Sequence, residues 1–93
     1  MIKSIADKET AIIWEGKQSR KFPLHIQIRA REKLVMLDAA ELIIDLKSPP
    51  SNALEKLKGD LAGFWSIRIN NQYRLVFEWK SNHAYAVRIT DYH

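Results

Sequence analysis

Between residues 64 and 91 the sequence FWSIRINNQYRLVFEWKSNHAYAVRITD places apolar side chains on alternate positions. A period of two marks strands with one face on a core. Asn70-Asn71 and Ser81-Asn82-His83 interrupt the alternation. Asparagine tolerates the positive φ of tight hairpin turns, so the stretch reads as three antiparallel strands, 64–70, 72–80 and 84–91. The apolar face of such a meander must be covered, and the rest of the chain has to supply the cover.

The first half has the helical signals. Asp7 can cap a short helix carrying Ile12, Ile13 and Trp14, and Gly16 can stop it. Residues 16–22 (GKQSRKF) are polar and basic and read as a loop. Pro23 suits the first turn of a longer helix over 23–40, where its missing N–H costs nothing. That helix carries two apolar stripes, Leu24/Ile28/Val35/Ala39 and Ile26/Ala30/Leu34/Leu37. One stripe is usual for a surface helix, so two predict a helix wedged between neighbours. Residues 41–47 add a further helical turn, ended by Ser48-Pro49-Pro50. With a short first strand at 2–5, the expectation is an α+β fold. It has a short N-terminal strand, two to three helices, then a three-stranded antiparallel meander with the helices packed on one sheet face.

At 93 residues the chain is read as a single domain spanning 1–93. It has no cysteine, which rules out disulfides and zinc–thiolate sites and suits the cytoplasm. No apolar run approaches the roughly 20 residues of a membrane span. The histidines at 25 and 83 read as surface residues rather than ligands, so no metal and no cofactor is expected. A net charge of +4 favours a polyanionic partner, the alternative being a mildly basic protein with none.

Strand parity assigns faces. Trp65, Ile67 and Ile69, then Tyr73, Leu75, Phe77 and Trp79, then Tyr85, Val87 and Ile89 fall on the helix side. Arg68, Arg74, Arg88 and Tyr92 fall on the other side, where they can hold a phosphate backbone. The plain alternative is a solvated face with Glu78 as counter-charge. Lys56, Lys58 and Asp60 surround Gly59 just before the meander and can bring charge over the sheet.

The last three residues are Asp91, Tyr92 and His93. A histidine can give or take a proton near neutral pH, a tyrosine can stack on a base, and an aspartate can orient a neighbour or accept a proton. Cleavage of RNA by its own 2′-OH needs a base, an acid and positive charge on the phosphate. By parity, however, Asp91 and His93 point to the helix side, away from Tyr92.

LKGDLAGFWSIRINNQYRLVFEW at 57–79, preceded by LDAA (37–40) and PPSNALEKLKGD (49–60) and followed by DYH, resembles the HigB group of bacterial toxins in the RelE/ParE superfamily. The resemblance implies a toxin silenced by a helix-turn-helix, HigA-like antitoxin. It implies ribosome-dependent mRNA cleavage without a metal, with Arg74 on the phosphate and Asp91, Tyr92 and His93 in proton transfer and substrate placement. Lys58, Lys56, Arg68 and Arg88 would bind RNA. Some relatives carry a catalytic histidine a few residues before LKGD. This chain has Glu55 there, a carboxylate that can act as a base. The other readings are a non-enzymatic gyrase inhibitor sharing the fold, and a relic that only binds its antitoxin. For the antitoxin interface, the first helix and Lys17, Arg20 and Lys21 are candidates.

Overall fold

The structure is a computed structural model that describes residues 1–91; the roles read for Tyr92 and His93 therefore lie outside the described residues. The elements are α1 (Lys8–Trp14), α2 (Leu24–Ala39), β1 (Glu55–Lys56), β2 (Phe64–Arg68), β3 (Tyr73–Lys80) and β4 (His83–Asp91), with short 3₁₀ turns at Ile43–Lys47, Pro50–Asn52 and Gly59–Leu61. The four strands form one antiparallel sheet in the order β1-β2-β3-β4. The α+β class and the helices on one face stand. The sheet gains a strand, because the two residues of β1 lie within a stretch whose Asn, Gly and Lys content reads as loop.

The expected first strand is reduced to two parallel bridges, Ile2 to Ala84 and Ile5 to Val87. Its pairing is interrupted because β4 bulges beside it. Between the pairs Val76–Arg88 and Glu78–Tyr85 the register shifts, and Ala86 takes φ 51°. The Ser4 hydroxyl accepts the displaced Ala86 N–H at 2.8 Å. An extra residue reverses parity beyond the bulge. Ala84, not Tyr85, is therefore buried, and Tyr85 lies across from Glu78 with the Lys80 ammonium 4.7 Å from its ring centre.

Asp7 caps α1 as its sequence suggests, its carboxylate accepting from the Thr10 N–H at 2.7 Å. The Thr10 hydroxyl then accepts the Ile89 N–H at 3.0 Å, tying α1 to β4. Gly16, at φ 84°, closes the helix with a conformation that a side chain would strain. Ile13 of α1, Ile26, Ala30, Leu34 and Leu37 of α2, and Leu46 bury against Ile67, Leu75, Phe77, Val87 and Ile89 of the sheet. The loop 16–22 is less polar in place than its composition predicts. Ser19 and Phe22 are buried, and the Gln27 amide donates to both of their carbonyls at 2.8 and 2.7 Å.

The wedged-helix expectation fails. Only the Ile26/Ala30/Leu34/Leu37 stripe meets the core, whereas Leu24, Ile28 and Val35 are 62%, 76% and 45% exposed. Seven-residue α1 packs beside α2 without covering its outer stripe. A groove of about 680 Å³ remains there, its lining including Ile13, Lys17, Leu24, Ile28, Arg31 and Val35.

Candidate active site

Cross-strand partners in an antiparallel sheet share a face. Two rows of partners on the face away from the helices carry the candidate residues. One row is Arg68–Arg74–Thr90, and the next is Glu55–Ser66–Val76–Arg88. The structure thus brings Arg68, Arg74, Arg88 and Glu55 onto one face. Glu55 joins the three arginines through β1, the strand that was not legible in sequence.

Arg74 is half-buried and held at two points. Its Nε donates to the Ser66 hydroxyl at 2.9 Å, and its Nη2 donates to the Ala53 carbonyl at 2.5 Å. Ala53 sits in the left-handed region at φ 44°, after the 3₁₀ turn Pro50–Asn52. A fixed guanidinium meets a phosphate with little loss of side-chain freedom, which is the advantage of a preorganised site.

The turn that presents the Ala53 carbonyl has a buried polar support. Asn52 is 0% exposed. Its Nδ2 donates to the Leu46 and Ser48 carbonyls at 3.1 and 3.3 Å, and its Oδ1 accepts from the Lys33 ammonium at 2.6 Å. Lys33 is itself only 8% exposed. Burial pushes its pKa below 10.5 and the nearby Arg29 charge pushes the same way, while Glu32 opposes them. Neither Lys33 nor Asn52 carries a motif. The one sequence signal was the spacing of Lys33, three residues after Ala30 and four before Leu37, which sets it beside the apolar stripe of α2 that meets the core.

Other candidates are placed differently. Lys56 lies in the row with Trp65 and Phe77, on the helix side, with its ammonium 5.7 Å from the Trp65 ring centre. Alternation in β1 sends Glu55 and Lys56 to opposite faces, so Lys56 does not share the face of Arg68, Arg74 and Arg88. Lys58 is exposed in the β1–β2 connection. Asp91 pairs with Tyr73, whereas Arg74 pairs with Thr90. The register therefore sets Asp91 on the other side of the sheet from Arg74, as parity predicts, and its Oδ2 accepts from the Gln72 amide at 3.1 Å. Glu78 lies 3.7 Å from the Lys80 ammonium. The face is also less open than expected, since Ser66 and Val76 are buried on it. Among the described residues, no three His, Asp or Glu side chains cluster as metal ligands, and no helix is long and apolar enough to cross a membrane.

Residues 3–93 match the family described as the RelE-like toxin of type II toxin–antitoxin system HigB. The chain belongs to the HigB-like toxin family. Endoribonuclease HigB of Proteus vulgaris is 31% identical over 93 residues, covering 100% of both chains. Toxin HigB-1 of Vibrio cholerae is 46% identical over 65 residues, 70% of this chain and 68% of that protein. The fold is shared with the YoeB–YefM complex of Staphylococcus aureus, at a TM-score of 0.63 and 22% identity over 100% of this chain and 98% of the other. This HigB-like chain is thus a type II toxin with a RelE-like fold.

Proposed function

We propose that the chain is an endoribonuclease that cuts mRNA on the ribosome in the cytoplasm. The observation that carries this reading is the Arg74 guanidinium, fixed by Ser66 and Ala53 on a face that also presents Arg68 and Arg88. The full-length likeness to a protein named an endoribonuclease supports it.

In the proposed reaction the RNA 2′-oxygen attacks the adjacent phosphorus as a base removes its proton. The P–O5′ bond breaks, and an acid protonates the departing 5′-oxygen. The products are a 2′,3′-cyclic phosphate and a 5′-hydroxyl. Arg74 neutralises charge building on the non-bridging oxygens. His93 supplies the acid and Tyr92 orients the nucleotide, following the family pattern. Glu55, on the Arg74 face, is the candidate base, and Asp91 serves to orient, through Gln72, the end of the sheet.

The partner of this reading is a HigA-like, helix-turn-helix antitoxin. The groove between α1 and α2 fits a segment of it. Its apolar lining suits the buried face of an amphipathic helix, and Lys17 and Arg31 in the same lining suit acidic flanks.

The test is to induce wild type, Arg74→Ala and a His93 deletion in cells and map new 5′-hydroxyl mRNA ends. Cuts at codon positions with wild type alone are expected. Arrest with intact mRNA and a DNA-damage response would replace this reading with the gyrase inhibitor, and a folded chain causing neither would leave the relic.

A further inference from the structure

A second concavity adjoins the Arg74 face. It is a polar cleft of about 340 Å³, lined by Arg29, Ser51, Arg68, Ile69, Asn70 and Asn71. Its two arginines come from α2 and β2, so only the folded chain brings them together. Arg68 is anchored by the β2–β3 turn. Its Nε donates to the Asn70 carbonyl at 3.2 Å and its Nη2 donates to the Asn71 side-chain oxygen. The turn is in turn braced by the Asn70 side-chain oxygen, which accepts the Gln72 and Tyr73 N–H groups at 2.8 and 2.7 Å.

Positive charge gathers here without a matching acid. Among the described residues, neither Arg29 nor Arg68 has a carboxylate oxygen within 4.0 Å. Arg29 also lies close enough to Lys33 to oppose its protonation. Arg68 stands directly across from Arg74. Ser51 adds a hydroxyl, on the same turn whose Asn52 is pinned by Lys33. Guanidiniums from two sides with a hydroxyl donor make a phosphate-shaped set.

We infer that the Arg29–Arg68 cleft takes a second phosphodiester of an RNA strand, beside the one held by Arg74. The inference deepens the ribonuclease reading and rests on it for the identity of the strand. The phosphodiester has two possible sources, the strand being cut and the RNA of the ribosome, and both present the same group.

The test uses the full chain and a fully 2′-O-methylated RNA oligonucleotide, which binds but cannot be cut. Affinity is measured by fluorescence anisotropy across a salt series for wild type, Arg29→Ala, Arg68→Ala, the double variant and Lys3→Ala, a control cation outside the cleft lining whose backbone bonds Ala84 beside the β3–β4 turn. Thermal melting confirms that each is folded. Each cleft variant is expected to bind about tenfold more weakly, and the double variant to lose about 0.7 from the slope of log K against log salt, the value for one single-strand phosphate contact. Lys3→Ala should change neither. Unchanged binding to the oligonucleotide with weakened binding to ribosomes would support the cleft and assign its phosphate to ribosomal RNA. Losses no greater than those of Lys3→Ala in both assays would overturn the inference. The proposed activity fails separately. Weaker RNA binding by the variants of a wild type that cuts no mRNA would retain the cleft and remove the nuclease.

Discussion

The sheet face around Arg74 and the groove between α1 and α2 are built from opposite materials. On the sheet face every named support is polar and directional. Ser66 and the Ala53 carbonyl hold one guanidinium, and Asn52 holds the turn that carries Ala53. In the groove, Leu24, Ile28 and Val35 stand exposed with no directional partner on the chain. The first arrangement fixes the position of a charge. The second offers area that becomes stabilising only when something apolar covers it. Under the proposed function, which needs both a grip on one phosphate geometry and silencing by a protein, the chain has use for both. The separation lets either be altered without the other.

The largest effect should come from the charge itself. Arg74→Ala is expected to lower RNA cleavage by about 10³-fold, the scale of losing one preorganised charge-stabilising donor. Its melting temperature should stay near wild type, because the side chain is only half-buried, and antitoxin capture should be unchanged. Loss of both activities together would dissolve the distinction between the two regions.

Next is Asn52→Ala, which removes the support under the site. It strands the Lys33 ammonium and two carbonyls in the interior, so a stability loss of about 3 kcal/mol is expected in denaturant unfolding. Cleavage by the folded fraction should fall as well, since the Ala53 carbonyl loses its position. An unfolding midpoint equal to wild type would show that the network carries no weight.

Ile28→Asp puts a charge in the middle of the groove at a residue 76% exposed. Folding should be nearly unaffected, because surface substitutions usually stay within about 0.5 kcal/mol. Antitoxin affinity should fall by about 30-fold, or about 2 kcal/mol, as expected of a central interface position. Calorimetric titration with the cognate antitoxin reads this directly, and undiminished affinity would remove the groove from the interface.

Part of this contrast was legible in sequence and part was not. Alternation from Trp65 to Ile89 gave the three long strands, and it put Arg68, Arg74 and Arg88 on one side. It also foretold that Asp91 would not share Arg74's face. Parity failed at Tyr85, because one extra backbone residue at Ala86 leaves no trace in a pattern of side chains. The two residues of β1 are too few to show a period. Both stripes of α2 were visible, but which of them is covered depends on the length and placement of α1. The Lys33–Asn52 bond joins positions 19 residues apart. No local rule links a lysine on a helix to an asparagine after a proline pair, so the support of Arg74 emerged only in three dimensions.

The smallest effect concerns the proton on Lys33. Its folded-state pKa lies below 10.5, through burial first and the Arg29 charge second. The unfolded chain therefore binds this proton more tightly than the folded one. Over the window between the folded pKa and 10.5, unfolding takes up a proton, so stability from this group rises with pH. Below that window both states are protonated and its contribution is flat. The stability of wild type relative to Lys33→Met should accordingly move in favour of wild type as the pH approaches 10.5 from below, measured by urea unfolding at each pH. The same comparison probes the cleft. Neutralising Arg29 with Arg29→Gln removes one cause of the shift, so the window should narrow while the burial part persists. A window that does not respond would place the Arg29 charge too far from Lys33 to belong to one cationic set with Arg68 and Arg74.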